Sequence, residues 1–449
     1  MLAAQLRPAA ALGGAGADQI ALHVRKAARP QLPRGEKQDF TAQMKQRKKG
    51  GFATNLAFLR SYREEPMLAT PLETKTLPPG IRSRFVRGVN GLDIHILEAG
   101  YAPAGRPLVL LLHGFPEIAY SWRKVMPALA EAGFHAVAPD QRGYGRTTGW
   151  SPDFDTDLRP WRTLNAVRDA LGLVAALGHR SIHAVVGNDF GAGIAAWCAL
   201  VRPDVFRSLA LMTPFGGPPD LPFATDGKEP APPATPTIHE ALAALPRPRK
   251  HYQWYYATRP ANAQIMHCRQ GVHNFLRAYY HHKSADWKGN KPHRLAGWTA
   301  EELAKMPTYY IMDLFDDMPA AVGKEMPSAA EIAANQWLTE AELAVYAGEW
   351  QRTGFQGGLN WYRSRTSGTF EGELQLFAGR TIDVPSIFIG GMSDWGIYQT
   401  PGAFERTQEV CTRMVSCQLL DGAGHWVQQE QAEQVIPLLL DFLRQQAAA

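Results

Sequence analysis

The pentapeptide Gly187-Asn188-Asp189-Phe190-Gly191 sets a carboxylate at the centre of a glycine-flanked turn. The apolar run before it, 181–186, reads as a buried strand, and the small residues after it, 191–201, read as a helix. A strand–turn–helix with glycine on both shoulders is the setting of the nucleophile elbow, usually written G-x-S-x-G. Aspartate in place of serine changes the chemistry. A serine that attacked an sp³ carbon would leave an ether, which water does not readily cleave. A carboxylate leaves an ester, which water opens at the enzyme's own carbonyl. Asp189 therefore points to displacement at carbon, either opening an epoxide or breaking a carbon–halogen bond. It points away from ester, lipid and peptide hydrolysis.

A nucleophile of this kind needs a base for water and a group to orient that base, here in the chain order nucleophile, acid, histidine. Asp394, in Gly390-Gly391-Met392-Ser393-Asp394, follows an apolar run at 384–390. His425, in Asp421-Gly422-Ala423-Gly424-His425-Trp426, follows another at 414–420. Asp394 would accept a hydrogen bond from one ring nitrogen and fix the tautomer. The other nitrogen would take a proton from water. His113-Gly114-Phe115-Pro116 follows the apolar run 107–112, so the N–H groups of Phe115 and Phe190 are the expected oxyanion hole. The remaining histidines, among them His267, His273 and the pair His281-His282, form no metal constellation; they read as surface or cap residues.

The elements that must bring these residues together are legible in outline. Strand-like runs at 83–89 and 92–98 flank Asn90-Gly91, a dipeptide favoured by type I′ hairpins. Strand and helix patterns then alternate: strands at 107–112, 134–138, 181–186 and 208–212, helices at 122–132, 163–177 and 191–201. Such alternation predicts an α/β fold with a mostly parallel, doubly wound sheet. The pattern breaks at Pro214. Residues 216–236 are dense in Pro and Gly and read as a linker, and 238–365 read as helical and aromatic-rich without buried strands. Strands return at 384–390 and 414–420, with a closing helix at 429–445. The expected organisation is a basic arm at 1–78, carrying one short helix near 55–63, a core at 79–215 and 370–449, and an inserted helical cap at 216–369.

Several segments resemble the soluble-type epoxide hydrolases of the α/β-hydrolase superfamily, from about residue 80 to the end. They are His113-Gly114-Phe115-Pro116-Glu117 with Tyr120-Ser121-Trp122-Arg123, Asp140-Gln141-Arg142-Gly143-Tyr144-Gly145, Thr213-Pro214-Phe215, His251-Tyr252-Gln253-Trp254-Tyr255-Tyr256 and Asn360-Trp361-Tyr362-Arg363. The resemblance implies an α/β-hydrolase fold whose cap hangs Tyr252 and Tyr362 over Asp189, with Tyr255 and Tyr256 as neighbours that could stand in for Tyr252. The chemistry fits independently. An epoxide leaves as an alkoxide, and a phenol with a pKa near ~10 is protonated at neutral pH yet donates strongly. Trp122, Trp361, Trp395 and Trp426, all beside these motifs, are expected to line the substrate pocket. The chain departs from the family in having Phe190 where relatives often carry Trp, and in an extra stretch around 284–328.

Two rivals follow. A haloalkane dehalogenase shares the Asp nucleophile, but a departing halide prefers indole donors and Phe190 has none; a fluoroacetate-type enzyme would want arginines beside the elbow, where Gly191-Ala192-Gly193 stand. A non-catalytic α/β-hydrolase used for binding is allowed by fold alone, but it would have no use for Asp189, Asp394, His425 and both tyrosines.

The mechanism and the resemblance imply a small epoxide and water as partners, with no cofactor or metal; bulk composition adds only that the chain is an ordinary globular protein. The 449 residues are 45% hydrophobic and 20% charged, ordinary values for a globular protein. The formal charge of +5 is concentrated in residues 1–50, where ten Lys or Arg face three acids, so it argues for a solvated arm and not for nucleic-acid binding. The four cysteines include no CxxC pair and read as reduced thiols of a cytoplasmic protein. No apolar run is long enough to span a membrane. The Ala- and Arg-rich start leaves a targeting segment open, as Met44 leaves open a later start, and nothing chooses between monomer and homodimer.

Overall fold

The computed structural model describes residues 70–220 and 236–447. The short helix expected near 55–63 and most of the linker at 216–236 lie outside the described residues.

The hairpin opens the fold as expected. Strands β1 (Ile81–Val89) and β2 (Leu92–Ala99) pair antiparallel, with Val89 opposite Leu92. The turn between them has φ of 49° at Asn90 and 80° at Gly91, which the type I′ geometry requires of both central residues. Six further strands complete the sheet: β3 (Leu108–Leu112), β4 (His135–Pro139), β5 (Ala184–Gly187), β6 (Leu209–Leu211), β9 (Ser386–Gly391) and β10 (Met414–Leu420). Their order is β1-β2-β4-β3-β5-β6-β9-β10, parallel from β4 to β10. Every residue of β3, β5 and β6 is buried, because helices cover both faces. The predicted helix at 122–132 divides into a tight turn, Ala119–Trp122, and a shorter helix, Met126–Glu131. Residues 70–78 lie against β1: the Leu72 N–H donates to Ser83 Oγ at 2.7 Å and Leu77 is buried.

Between β6 and β9 the chain is mostly helical, but not wholly so. Strands β7 (Arg249–His251) and β8 (Ile311–Asp313) form an antiparallel pair. The expectation of a strand-free insertion is thus corrected. Three residues each, one of them Arg-Lys-His, are too short and too polar for alternation to register. The pair matters for the site, since β7 leads directly into Tyr252 and the Tyr252 N–H donates to the Tyr310 carbonyl at 2.9 Å.

Contacts at several places seat the insertion on the sheet. The backbones of Gly143 and Gly357 touch, and a Cβ on either would overlap the other. Beside them the Trp361 indole donates to the Arg142 carbonyl at 2.8 Å and the Trp161 indole to the Gly357 carbonyl at 3.0 Å. Farther along, buried Arg123 donates to Glu342, at 2.7 Å, and to the Trp337 carbonyl, at 3.0 Å. Glu342 also closes a capping box with Thr339 at the start of the helix Glu340–Thr353. No helix among the described residues is long and apolar enough to cross a membrane.

Candidate active site

Asp189 stands between β5 and the helix Phe190–Val201 with φ 51° and ψ −123°, a backbone conformation that costs a non-glycine residue of order 1–3 kcal/mol. The strain is tolerated because the surroundings leave no alternative. Added Cβ atoms would drive Gly187 into Gly191, Gly191 into the Leu112 carbonyl, and Gly114 into the Asp189 side chain. The Asp189 N–H donates to Thr213 Oγ1 at 2.9 Å, and that hydroxyl donates to Asn188 Oδ1 at 3.1 Å.

The three residues expected to form the triad converge. His425 Nδ1 lies 3.1 Å from both carboxylate oxygens of Asp394, and its Nε2 lies 3.4 Å from Asp189 Oδ2. Nε2 makes no hydrogen bond in that position, a spacing that suits an ion pair with the carboxylate better than a shared proton. Burial and the nearby Lys283 ammonium both work against a charged His425. Asp394 and Asp189 outweigh them and push its pKa up to about 9. Burial likewise opposes charge on Asp189, yet His425, Lys283 and the Phe115 N–H hold it well below the usual carboxylate range. At neutral pH the resting site holds an Asp189 carboxylate facing an imidazolium.

The Phe115 N–H donates to Asp189 Oδ1 at 3.0 Å, as expected of one oxyanion donor. The Phe190 N–H, which opens the helix, makes no hydrogen bond to that carboxylate. The turn carrying Phe115 is set by His113. Its Nδ1 donates to the Gly114 carbonyl at 2.9 Å and its Nε2 accepts from the Gln141 N–H at 3.1 Å. Burial pushes its pKa down, which keeps the ring neutral and able to do both.

Tyr252 and Tyr362 are buried together, their ring centroids 5.8 Å apart. Tyr362 also packs on Phe190 at 4.8 Å and on Phe115 at 5.4 Å, so both oxyanion-turn residues touch it. The Tyr252 hydroxyl donates to Gln399 Oε1 at 3.4 Å and accepts from Gln253 Nε2 at 3.2 Å. Burial and the Asp189 charge push both phenols above their ordinary pKa, so both keep their protons. Of the neighbours, Tyr256 packs on Phe115 and Tyr362, while the Tyr255 ring lies beneath the Lys250 ammonium.

Three of the four tryptophans adjoin these residues. Trp426 packs on His425 at 4.7 Å, Trp361 lies 6.4 Å from Phe190, and Trp395 is buried immediately after Asp394. Trp122 is wholly enclosed in its turn. Among the described residues its ring does not contact Tyr252 or Tyr362.

Several residues of the site escaped sequence reasoning. Glu117 is buried beside the triad and accepts from Gln428 at 2.9 Å, Gln429 at 2.6 Å and Asn188 at 3.4 Å. Burial and the Asp189 charge push it up to about 7, against the pull of His425 and the amides. Tyr144 is buried with its hydroxyl unpartnered among the described residues, and the Asp189 charge reaches it. Lys283 closes the helix Gly271–Lys283, and its carbonyl accepts the His425 N–H at 3.0 Å. His281 and His282, expected as surface or cap residues, belong to this cap helix and are buried, because its C-terminal half is enclosed all round. Glu117 and Tyr144 do stand in resemblance segments, but nothing in the local pattern marks Lys283 or Gln399.

A profile described as the alpha/beta hydrolase fold matches residues 107–432. The chain is 32% identical over 358 residues to epoxide hydrolase A of Mycobacterium tuberculosis, covering 79% of this chain and 95% of that one. It is 31% identical over 374 residues to an epoxide hydrolase of Caballeronia sordidicola, covering 83% and 96%. Among solved structures, an epoxide hydrolase from an endophytic Streptomyces matches with a TM-score of 0.62 and 32% identity, over 82% of this chain and 96% of that one. With an elbow aspartate paired to an imidazole, two buried phenols beside the Phe115 and Phe190 turns, and these relatives, the chain belongs to the epoxide hydrolases of the α/β-hydrolase fold.

Proposed function

We propose that the protein converts epoxides to vicinal diols through a covalent ester on Asp189. The observation that carries this reading is the buried, protonated Tyr252–Tyr362 pair, of which Tyr362 packs edge to face on Phe115 and Phe190, the residues on either side of the nucleophile. A leaving group that departs as an alkoxide needs hydrogen-bond donors there, and two protonated phenols supply them. The Asp189 carboxylate attacks a ring carbon, the ring C–O bond breaks, and a phenol proton passes to the oxygen. His425, oriented by Asp394, then draws a proton from water as that water adds to the Asp189 carbonyl. The Phe115 and Phe190 N–H groups hold the developing oxyanion. Trp361, Trp395 and Trp426 are the pocket walls in this reading, which calls on no cofactor or metal. The free cysteines suit a reducing, cytoplasmic setting.

The test is His425→Gln with styrene oxide, read by intact-protein mass. The expected result is an adduct of one substrate mass on Asp189 that does not turn over. Absence of an adduct together with bromide release from bromoalkanes by the wild type would replace this reading with dehalogenation. Absence of both would leave a binding protein.

A further inference from the structure

Lys283 is a lysine where lysines are seldom found. Its side chain is almost fully buried, at 2% exposure. Among the described residues its ammonium forms no ion pair and no hydrogen bond. Four rings surround it, with the Nζ 4.7 Å from the centroid of Tyr310, 5.4 Å from Tyr279, 5.4 Å from Trp426 and 5.8 Å from Tyr309. Aromatic faces stabilise a cation and fix its place without neutralising it. The box is assembled from three parts of the chain: the helix Gly271–Lys283 itself, the stretch before β8, and the histidine loop.

The charged and titratable groups that bear on this ammonium are few. Burial, the largest influence, pulls its pKa below the ordinary lysine value; against that pull stand Asp189 from the elbow, Asp394 from the loop after β9 and Glu117 from the turn after β3, which all favour its charge. His282 precedes it on its own helix, with a pKa pushed down to about 3 by burial, by His281 and by Lys283, so it stays neutral. Glu430 sits behind the histidine loop, accepting the N–H groups of Gly424, Trp426 and Ala285 at 2.9, 2.9 and 2.8 Å, and burial pushes it up to about 7. His425 itself faces Asp394 through Nδ1 and Asp189 through Nε2, and its backbone is tied to Lys283.

We propose that Lys283 is a positioning charge for the second half of the reaction: its boxed ammonium makes the alkyl-enzyme release the His425 proton, and so turns His425 into a base only after Asp189 has been esterified. Charge balance carries the argument. With Glu117, which burial pushes up to about 7, in its protonated form, the negative Asp189 and Asp394 and the positive His425 and Lys283 sum to zero. Esterification removes the Asp189 charge. An imidazolium would then leave the buried site with an uncompensated positive charge, and loss of its proton restores neutrality. Without Lys283 the sense reverses. The esterified site is then balanced with His425 protonated and Asp394 ionised, and the base is disabled.

The protons also close. Alkylation forms the Asp189 Oδ–carbon bond, breaks the ring C–O bond, and moves a phenol proton to the alkoxide. The proton released by His425 refills the phenol through solvent. In hydrolysis neutral His425 takes one proton from the attacking water, the acyl C–O bond breaks, and the water's second proton, carried on the newly formed Asp189 carboxyl, passes to the departing oxygen as the diol leaves. His425 is again an imidazolium facing the Asp189 carboxylate.

The inference rests on the ester reading proposed above and is tested on the full chain with Lys283→Met, Lys283→Gln and Lys283→Arg. Rapid quench with intact-mass detection follows formation and decay of the adduct from pH 5 to 10. In the Met and Gln variants the acid-side midpoint of adduct decay should rise by about one pH unit or more, so that adduct accumulates near neutrality. Formation should change far less, and Lys283→Arg should return the midpoint toward that of the wild type. Because the amplitude counts only folded sites, partial misfolding lowers the amplitude and leaves the midpoint readable. Decay with the wild-type midpoint in both uncharged variants would overturn the role, as would an Arg variant that behaves like the Met variant. Failure of the ester reading looks different: no adduct would form in any variant, the wild type included.

Discussion

Phe190 and Tyr362 meet edge to face, their ring centroids 4.8 Å apart and their planes at 77°. The residue after the nucleophile thus braces a phenol carried by the insertion, as well as offering its own N–H. An aromatic pair of this kind contributes about 0.5–1.5 kcal/mol beyond the area it buries. Phe190→Ala should therefore slow adduct formation by up to roughly tenfold while leaving adduct decay close to the wild-type rate. Rapid-quench measurement of both steps checks this. No loss in either step would mean that Phe190 acts through its backbone alone.

Tyr362→Phe removes the hydroxyl and keeps the packing. A positioned general acid contributes about a hundredfold or more, so adduct formation should slow by that much and ester hydrolysis by only a few-fold. Tyr252→Phe should act in the same sense, with the added disturbance that Gln253 and Gln399 lose their shared partner. Stopped-flow or quench data that left formation unchanged in Tyr362→Phe would remove it from the leaving-group side.

Arg123 joins the insertion to the sheet domain from a buried position, through Glu342 and the Trp337 carbonyl. Removing one partner of a buried pair costs about 3–5 kcal/mol because the other charge is stranded. Arg123→Met should show that loss in urea unfolding. Glu342 is itself partly exposed, which places the expected cost at the lower end. A loss below about 1 kcal/mol would mean that Glu342 turns to solvent instead.

Stability should fall between about pH 6.5 and 9. His425 has a pKa raised from 6.5 to about 9 in the folded protein, so it binds its proton more tightly folded than unfolded. Its contribution is complete below 6.5 and is lost as pH rises through 9. Glu117, raised from 4.5 to about 7, adds to the same decline over its own, lower range. Tm measured from pH 6 to 9.5 should drop in the wild type and drop less steeply in His425→Gln. Parallel profiles in the two proteins would show that His425 titrates at its ordinary value when folded.

How much of the site could be read from the sequence depended on whether a residue's role is announced by its own neighbours. Asp189 is, because a tight turn demands glycines on both sides and the chemistry demands a carboxylate between them. Asp394 and His425 are, because each follows a strand at the same sheet edge. Tyr362 is marked by its tetrapeptide. Lys283 and Gln399 are not marked at all. A lone lysine after two histidines reads as the solvated end of a helix, and only the distant Tyr309, Tyr310 and Trp426 turn it into an enclosed charge. The β7–β8 pair failed for the same reason: three-residue strands are held by each other and by no pattern of their own.

The sequence by itself determined the parallel sheet, the elbow and the order of the triad, since these follow from hydrophobic periodicity, glycine geometry and residue type. Tertiary structure alone decided which charges share the site. Asp189, Asp394, Glu117, His425 and Lys283 come from five separate segments, and their protonation depends on mutual distance and exclusion of water, quantities that no stretch of sequence contains.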